Sequence, residues 1–485
     1  MPQTAPEQSP ASLSAFAHLG FAATVLLATW GVLAFGAVYD WAYLPLAAGA
    51  AILGLVLWKR TTNGPQGLPR TILVSLGAVA GGAVLQLIPL PAGAREAISP
   101  STDTLLRTID LAFAAAAASG TPLLHPLSID PAATWRGLLL LASFTVLLAG
   151  LVPFLGRYGV RPLIVPIVAL GVAVAVIGIV QKALLGDGAA TGMRIYGFWK
   201  PRYMLTTPFG PFVNRNHFAG WMLLVLPFAV ACFLGAAEHG IFNRRGGWRE
   251  RLLWLSSPRG GQLQLTGLAV LVMGLSLVMS QSRSGAICFA MAMAAGVVAG
   301  MRRHRSKAAR LALVGAISLL LMLSVVWSDV RVSERFALRV DDSIRLRQDI
   351  WGVTARVIRD FPLTGTGLNT FGTATLAYQV SHLDMHFAEA HNDYLQLAAE
   401  GGLLLSAPAL AAVVFTLAVI WRRFSDGRSE SDSFWPRLGA VTGLMAVALQ
   451  SLVDFSLQMP GTAVLFVVFL AVALHRPQSE GVSTS

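Results

Sequence analysis

The chain has 485 residues, 55% of them hydrophobic and only 12% charged. Ordinary soluble domains carry about 25% charged residues, so that class is excluded. The net charge of +12 has no soluble basic domain to carry it, which makes nucleic acid a poor fit as a partner.

The apolar residues fall in blocks of about 18–22, the length that crosses roughly 30 Å of hydrocarbon. The predicted fold is therefore an all-α polytopic membrane protein, with residues 1–485 as a single membrane domain. Twelve transmembrane helices fit, at 14–36, 42–58, 71–90, 136–153, 162–183, 217–237, 263–280, 284–301, 310–328, 402–420, 437–457 and 460–475. The first tail, MPQTAPEQSPASLS, lacks the basic region of a cleavable signal and reads as a short cytoplasmic segment.

Orientation comes from the short basic connections. Lys59/Arg60/Arg70, Arg157/Arg161, the group Arg244 to Arg259, the group Arg302 to Arg310, and Arg422/Arg423/Arg428 all follow even-numbered spans. The positive-inside bias then puts them, and both termini, in the cytoplasm. Three longer segments, 91–135, 184–216 and 329–401, are expected on the outer face. Their arginines break the bias, so another use is expected for them. Cys232 and Cys288 lie within apolar runs, which supports neither a disulfide framework nor a zinc cluster.

In chain order, the first polar constellation is RIYGFWKPRYMLTTPFGPFVNRNHFAGWM. Lys200, Trp199 and Tyr203 suit anchoring among headgroups. Asn214, Arg215, Asn216 and His217 are costly at the mouth of a span unless paired or facing a wet cavity. Asn214 also suits a helix N-cap. Arg283 follows in the short turn SQSRSG, where it must snorkel or bind an anion. An arginine fork suits phosphate, which it can meet with two parallel charge-assisted bonds.

The long polar segment carries seven arginines in its first half (Arg331, Arg335, Arg339, Arg345, Arg347, Arg356 and Arg359). IRLRQDIWGVTARVIRDF reads as an amphipathic helix. Leu346, Ile350, Val353 and Val357 form one apolar face. Arg345 with Asp349 and Arg356 with Asp360 are expected as i,i+4 ion pairs. The second half, HLDMHFAEAHNDYLQ, offers His382, Asp384, His386, Glu389 and His391, but at no familiar metal spacing. His391-Asn392 immediately precedes an apolar helix, and a neutral histidine there suits accepting a proton from a hydroxyl. Asp454 and Gln458 sit in SLVDFSLQMPG, where the carboxylate reads as structural before catalytic.

RIYGFWKPRYMLTTPFGPFVNRNHFAG, SQSRSG, PLTGTGLNTF, AHNDYLQLAAEGG and SLVDFSLQMPG, preceded by QLIPLP at 86–91, occur in one order across roughly 86–460. Together they resemble the O-antigen ligase/polymerase superfamily of bacterial membrane glycosyltransferases. The resemblance implies a GT-C-like helical fold in the inner membrane, with a large periplasmic loop over the active site. It implies an undecaprenyl-diphosphate-linked glycan as donor, and a lipid A core or a second lipid-linked glycan as acceptor. It also implies His391 as general base and no metal or other cofactor. Arg194, Arg215 and Arg283 match the implied diphosphate-binding arginines, and Arg345 or Arg347 matches the one in the loop. Asn214, Asn216, His217, Asn392 and Asp454 would support them. A ligase-like transfer that inverts the sugar is the expectation, with repeat-unit polymerization of O-antigen or exopolysaccharide as the alternative. A carrier for polysaccharide or lipid-linked glycan is the alternative of another class. Against it, the ionizable residues cluster at the outer mouth rather than mid-membrane.

Overall fold

The computed structural model describes residues 14–61, 67–120, 123–185, 194–200, 207–238, 240, 247–301, 335–425 and 431–477. Seventeen α-helices occur among them. In the first half of the chain they are α1 (Ala15–Leu33), α2 (Asp40–Thr61), α3 (Arg70–Gln86), α4 (Ala92–Ile98), α5 (Pro100–Ile109), α6 (Leu111–Ala118), α7 (Pro131–Tyr158), α8 (Arg161–Leu185) and α9 (Arg215–Ala237). In the second half they are α10 (Trp248–Leu255), α11 (Pro258–Met279), α12 (Arg283–Met301), α13 (Arg335–Asp360), α14 (Phe371–Tyr378), α15 (Asp393–Ser425), α16 (Ser431–Gln450) and α17 (Pro460–Leu474). Eight of these (α1, α2, α7, α8, α9, α11, α12 and α15) are long and apolar enough to cross a membrane, while α3 and α17 are shorter apolar helices. This is a polytopic, all-helical membrane protein. The predicted span at 310–328 lies outside the described residues, and every other predicted span falls on a helix.

The bundle is built around α9, whose residues are buried on almost every side. It packs against α16, α11, α8 and α12. An all-round apolar sequence is what such a position selects, because no face of the helix meets a polar medium. Elsewhere small residues bring helices together. Gly54 of α2 and Gly150 of α7 face each other so closely that a Cβ on either would strike the opposite backbone.

A second, smaller core sits beside the bundle. Leu105, Leu106, Phe113, Ile129, Ile350, Val353, Val357, Phe361, Phe371 and Phe387 pack into one cluster, with Leu346 against it. The expected apolar face of the 344–361 helix is thus buried as read. The helix packs on α14 and the start of α15, and α14 packs in turn on α5, so segments 91–135 and 335–401 share this core as one lobe. The expected i,i+4 ion pairs give way to tertiary partners: His382 Nε2 lies 3.0 Å from Asp349 Oδ2, the Tyr378 hydroxyl donates to Asp360, and Arg356 donates to the Tyr378 carbonyl. Exposed helical pairs contribute only a few tenths of a kcal/mol, about 0.2–0.5, so lobe packing overrides them easily.

The lobe is fastened to the bundle by interlocking backbone. Thr366 N–H donates to the Ala399 carbonyl and Gly367 N–H to that of Glu400, while Leu403 and Leu404 N–H groups donate back to Pro362 and Leu363. Gly365 (φ +65°) lies against the Glu400 carbonyl, where a Cβ would have no room. Gly402 (φ +51°) breaks α15 close to where the sequence places the start of that span, leaving the turns before it to the lobe.

Candidate functional site

Polar segments far apart in sequence meet at the turn 451–455, which follows α16. The expected span 437–457 stops short: its helix ends at Gln450, and the polar residues beyond it turn back. Asp393 N–H donates to the Ser451 carbonyl (2.9 Å), Asn392 Nδ2 to Leu452 (2.9 Å) and Arg347 Nε to Val453 (3.0 Å). The start of α15 and the middle of α13 are thereby tied to one short strip of backbone. Asp454 is fully buried and accepts from the Phe455 N–H at 2.9 Å.

From the other side comes the N-terminus of α9. Asn214 is its N-cap, as expected, accepting from the Asn216 N–H. The Asn216 carbonyl accepts from Gln450 Nε2 (3.2 Å) and Ser456 Oγ (3.4 Å), and its side-chain oxygen accepts from Ser282 Oγ (2.9 Å). Asn216 therefore joins three segments: its own helix start, the turn preceding Arg283, and the 451–456 strip.

His391 stands where these meet. Its φ is +50°, a left-handed backbone that costs a non-glycine residue energy and persists only where surroundings impose it. The flanking residues do so. Ala390 N–H donates to Gln396 Oε1 and its carbonyl accepts from Trp351 Nε1, while Asn392 Oδ1 caps α15 by accepting from Tyr394 and Leu395. The imidazole packs edge-on to Phe455 at 4.8 Å, and His217 packs on the same ring at 4.7 Å. His391 Nδ1 is buried without a hydrogen-bond partner, as are both ring nitrogens of His217. His217 Nε2 lies 4.0 Å from Asp454 Oδ1, beyond hydrogen-bond reach. Burial, and then the nearby Arg347 guanidinium, pushes the His391 imidazole down to about 4. It is neutral at pH 7 and able to take a proton.

Beneath His391 runs a network that sequence reasoning missed. Gln396 Nε2 lies 2.7 Å from Glu389 Oε2, 3.0 Å from Glu400 Oε1 and 3.0 Å from Gln458 Oε1. One amide nitrogen has two hydrogens for these three acceptors. Gln458 Nε2 donates to Asp393 Oδ1, and Glu400 also accepts from the Asn369 and Phe371 N–H groups. Burial raises the Glu389 carboxyl to about 8; its bond from Gln396 opposes this, while Glu400 and Asp393 add to it. Gln86 of the QLIPLP stretch ties in from α3, donating to the Thr364 and Glu400 carbonyls and accepting from the Leu368 N–H. A glutamine ending an apolar span was the available signal for Gln86, because an unpaired amide there is costly. Phe455 gave none.

The arginines divide. Arg347 is half-buried, donates to the turn and acts electrostatically on the His391 imidazole, whereas Arg345, two residues away on α13, is exposed. Arg215 and Arg283 open α9 and α12 on either side of the Asn216–Ser282 bond. Arg194 is exposed at the start of a small backbone bridge, Ile195↔Trp199, that packs on the α1–α2 connection. No contact joins Arg194 to His391 among the described residues. Among those residues there is also no group of three or more His, Cys, Asp and Glu placed to hold a metal ion. Asp384 and His386 are exposed, and His382 is turned to Asp349.

No curated protein matches the chain. Residues 268–410 match the family model described as O-antigen ligase, a stretch that runs from α11 into α15 and contains Arg283, Arg347 and His391. That match covers less than a third of the chain, and over it the chain is similar to O-antigen ligases, in agreement with the resemblance its motifs carry.

Proposed function

We propose that the protein moves a glycan from undecaprenyl diphosphate to an acceptor hydroxyl at the periplasmic face of the inner membrane, acting as a ligase with a lipid A core as acceptor. The observation that carries this reading is the meeting of His391, Arg347 and the openings of α9 and α12 around one buried turn. A neutral imidazole sits beside cationic side chains there, which suits one group that must lose a proton and another that must leave as an anion.

In this reading, His391 takes the proton of the acceptor hydroxyl as its oxygen attacks the anomeric carbon. The carbon–oxygen bond to the diphosphate breaks on the opposite side, so the anomeric configuration inverts. Undecaprenyl diphosphate departs with the bonding pair. Arg215, Arg283 and Arg347 meet the charge that develops on it, and donors fixed in advance lower the barrier without reorganizing. Arg194 and Arg345, both exposed, would reach only the outer part of a bound donor. The buried polar network under α15 holds the left-handed turn that presents the imidazole.

The test is glycan profiling of a deletion strain, with lipid-linked and lipid A-linked pools separated. Long glycan held on undecaprenyl diphosphate beside bare lipid A core is the expected result. Single repeats on either carrier would instead mean a polymerase. Translocation by the purified protein in liposomes, with no glycosidic bond formed, would replace the enzyme reading by a carrier.

A further inference from the structure

Away from His391, the connection between α1 and α2 carries a cluster of aromatic rings whose arrangement the transfer chemistry does not use. Phe35 stacks on Trp199 at 4.8 Å, Tyr39 stacks on Trp41 at 6.3 Å, and Tyr196 stacks on Phe198 at 6.1 Å. Phe35 joins the groups through Tyr196 at 5.5 Å. Phe198 is 67% exposed and Trp41 49% exposed, so the cluster presents ring surface outward.

Its backbone is costly. Phe35, Ala37 and Tyr196 all have left-handed φ, at 60°, 55° and 55°. Strain of that kind in residues other than glycine concentrates where a chain binds something. The polar tips are turned inward: the Tyr196 hydroxyl donates to the Leu33 carbonyl, and Trp199 Nε1 donates to the Tyr39 hydroxyl. Interfacial anchors work the other way, with the ring in the apolar layer and the polar tip in the wet headgroups. Here the tips of Tyr196, Trp199 and Tyr39 are occupied by protein, and what those side chains leave available is rigid π surface.

The cluster also lies at the same end of the bundle as His391. Gly36 packs on Phe212, two residues before the Asn214 cap, and Gly461, just past the 451–456 strip, packs against Gly31 and Gly36.

We propose that this aromatic cluster is a sugar-binding platform, which holds hexopyranose units of the glycan while its anomeric end is at His391. One face of a pyranose is a patch of C–H groups, and these pack on the negative face of an aromatic ring. The exposed Arg194 and Lys200 bracket the 195–199 part of the cluster in sequence and suit the hydroxyls or carboxylates of the sugar. The proposal rests on the glycosyl-transfer reading and adds to it a subsite for the glycan rather than for its lipid carrier.

The test uses the full chain in nanodiscs and two probes, sugar-free undecaprenyl diphosphate and lipid-free oligosaccharides released from bacterial O-polysaccharide. In the double variant Trp41→Ala/Phe198→Ala, oligosaccharide affinity should fall by at least about fivefold, the weight of stacked contacts of this kind. Affinity for undecaprenyl diphosphate should stay the same, and Trp41→Phe should recover much of the sugar binding. Unchanged oligosaccharide affinity in the double variant overturns the platform. Equal loss of both probes also overturns it, in favor of membrane anchoring. Wild-type protein that binds the oligosaccharides yet transfers no glycan would sink the proposed activity and leave the platform standing.

Discussion

His217 and His391 pack on the same phenyl ring, that of Phe455, at 4.7 and 4.8 Å and both edge-on. One histidine opens α9 and the other ends the lobe, 174 positions later (391 − 217). Phe455 thus acts as the spacer that sets the bundle side of the site against the lobe side. Buried Asp454, one residue earlier, is held by the Phe455 N–H, and its carboxyl is raised, chiefly by burial.

The first expectation concerns His391 itself. His391→Ala should lower transfer from a purified lipid-linked donor by about 10²–10⁴-fold, the usual range for a positioned acid or base. Donor binding should change little, because the arginines remain. Near-normal transfer would remove the base from the mechanism.

The pH dependence follows from the same group. With its imidazole held near 4 by burial and Arg347, the neutral form should persist well below the ordinary value of 6.5. The acid limb of kcat should therefore fall near pH 4 to 5. An acid limb centered at 6.5 would show an imidazole open to water. Phe455→Ala should move the limb toward 6.5 as it lowers the rate, since water then reaches the ring.

Glu389 is expected to act on stability in the opposite sense. Its carboxyl rises to about 8 in the fold from an ordinary 4.5. Between those values the folded protein holds a proton that the unfolded chain has released. The contribution is complete below pH 4.5 and is lost as pH rises toward 8. Glu389→Gln keeps the neutral form at all pH, so the melting temperature of the purified protein should fall less steeply from pH 5 to 8. An identical slope in the variant would show that Glu389 is ionized in the fold.

Arg347 and Arg345 should separate in kinetics. Arg347→Ala removes a cation beside His391 and the bond to the Val453 carbonyl, so both KM for donor and kcat should suffer. Charge-assisted bonds of this type contribute about 1.5–3 kcal/mol, roughly 10- to 150-fold. Arg345→Ala should cost far less, since that side chain is exposed. Equal effects would mean that the donor reaches across both faces of α13.

Gly365→Ala tests how the lobe is fastened. The residue has φ +65° and no room for a Cβ against the Glu400 carbonyl. The substitution should destabilize by more than about 1 kcal/mol and loosen the His391 turn with it. Limited proteolysis of the lobe in the variant is the readout. A digestion rate equal to wild type would show the interlock to be dispensable.

Much of this molecule follows from one-dimensional pattern. Span lengths, the apolar face of α13, the Asn214 cap and the placement of Arg215, Arg283 and His391 next to helix starts are local properties, set by a few neighboring residues and by the cost of polar groups in hydrocarbon. Tertiary structure decided what meets what. Nothing local tells Arg347 from Arg345, because the choice depends on which face of α13 turns to the 451–455 strip. The pairing of Asp349 with His382 in place of Arg345 depends on lobe packing that a helix period does not contain. The carboxylate–glutamine network and the Phe455 spacer depend on contacts between residues tens to hundreds of positions apart. Sequence spacing carries no distance information at that range, and burial, which sets the titration of His391 and Glu389, exists only once those segments have closed on one another.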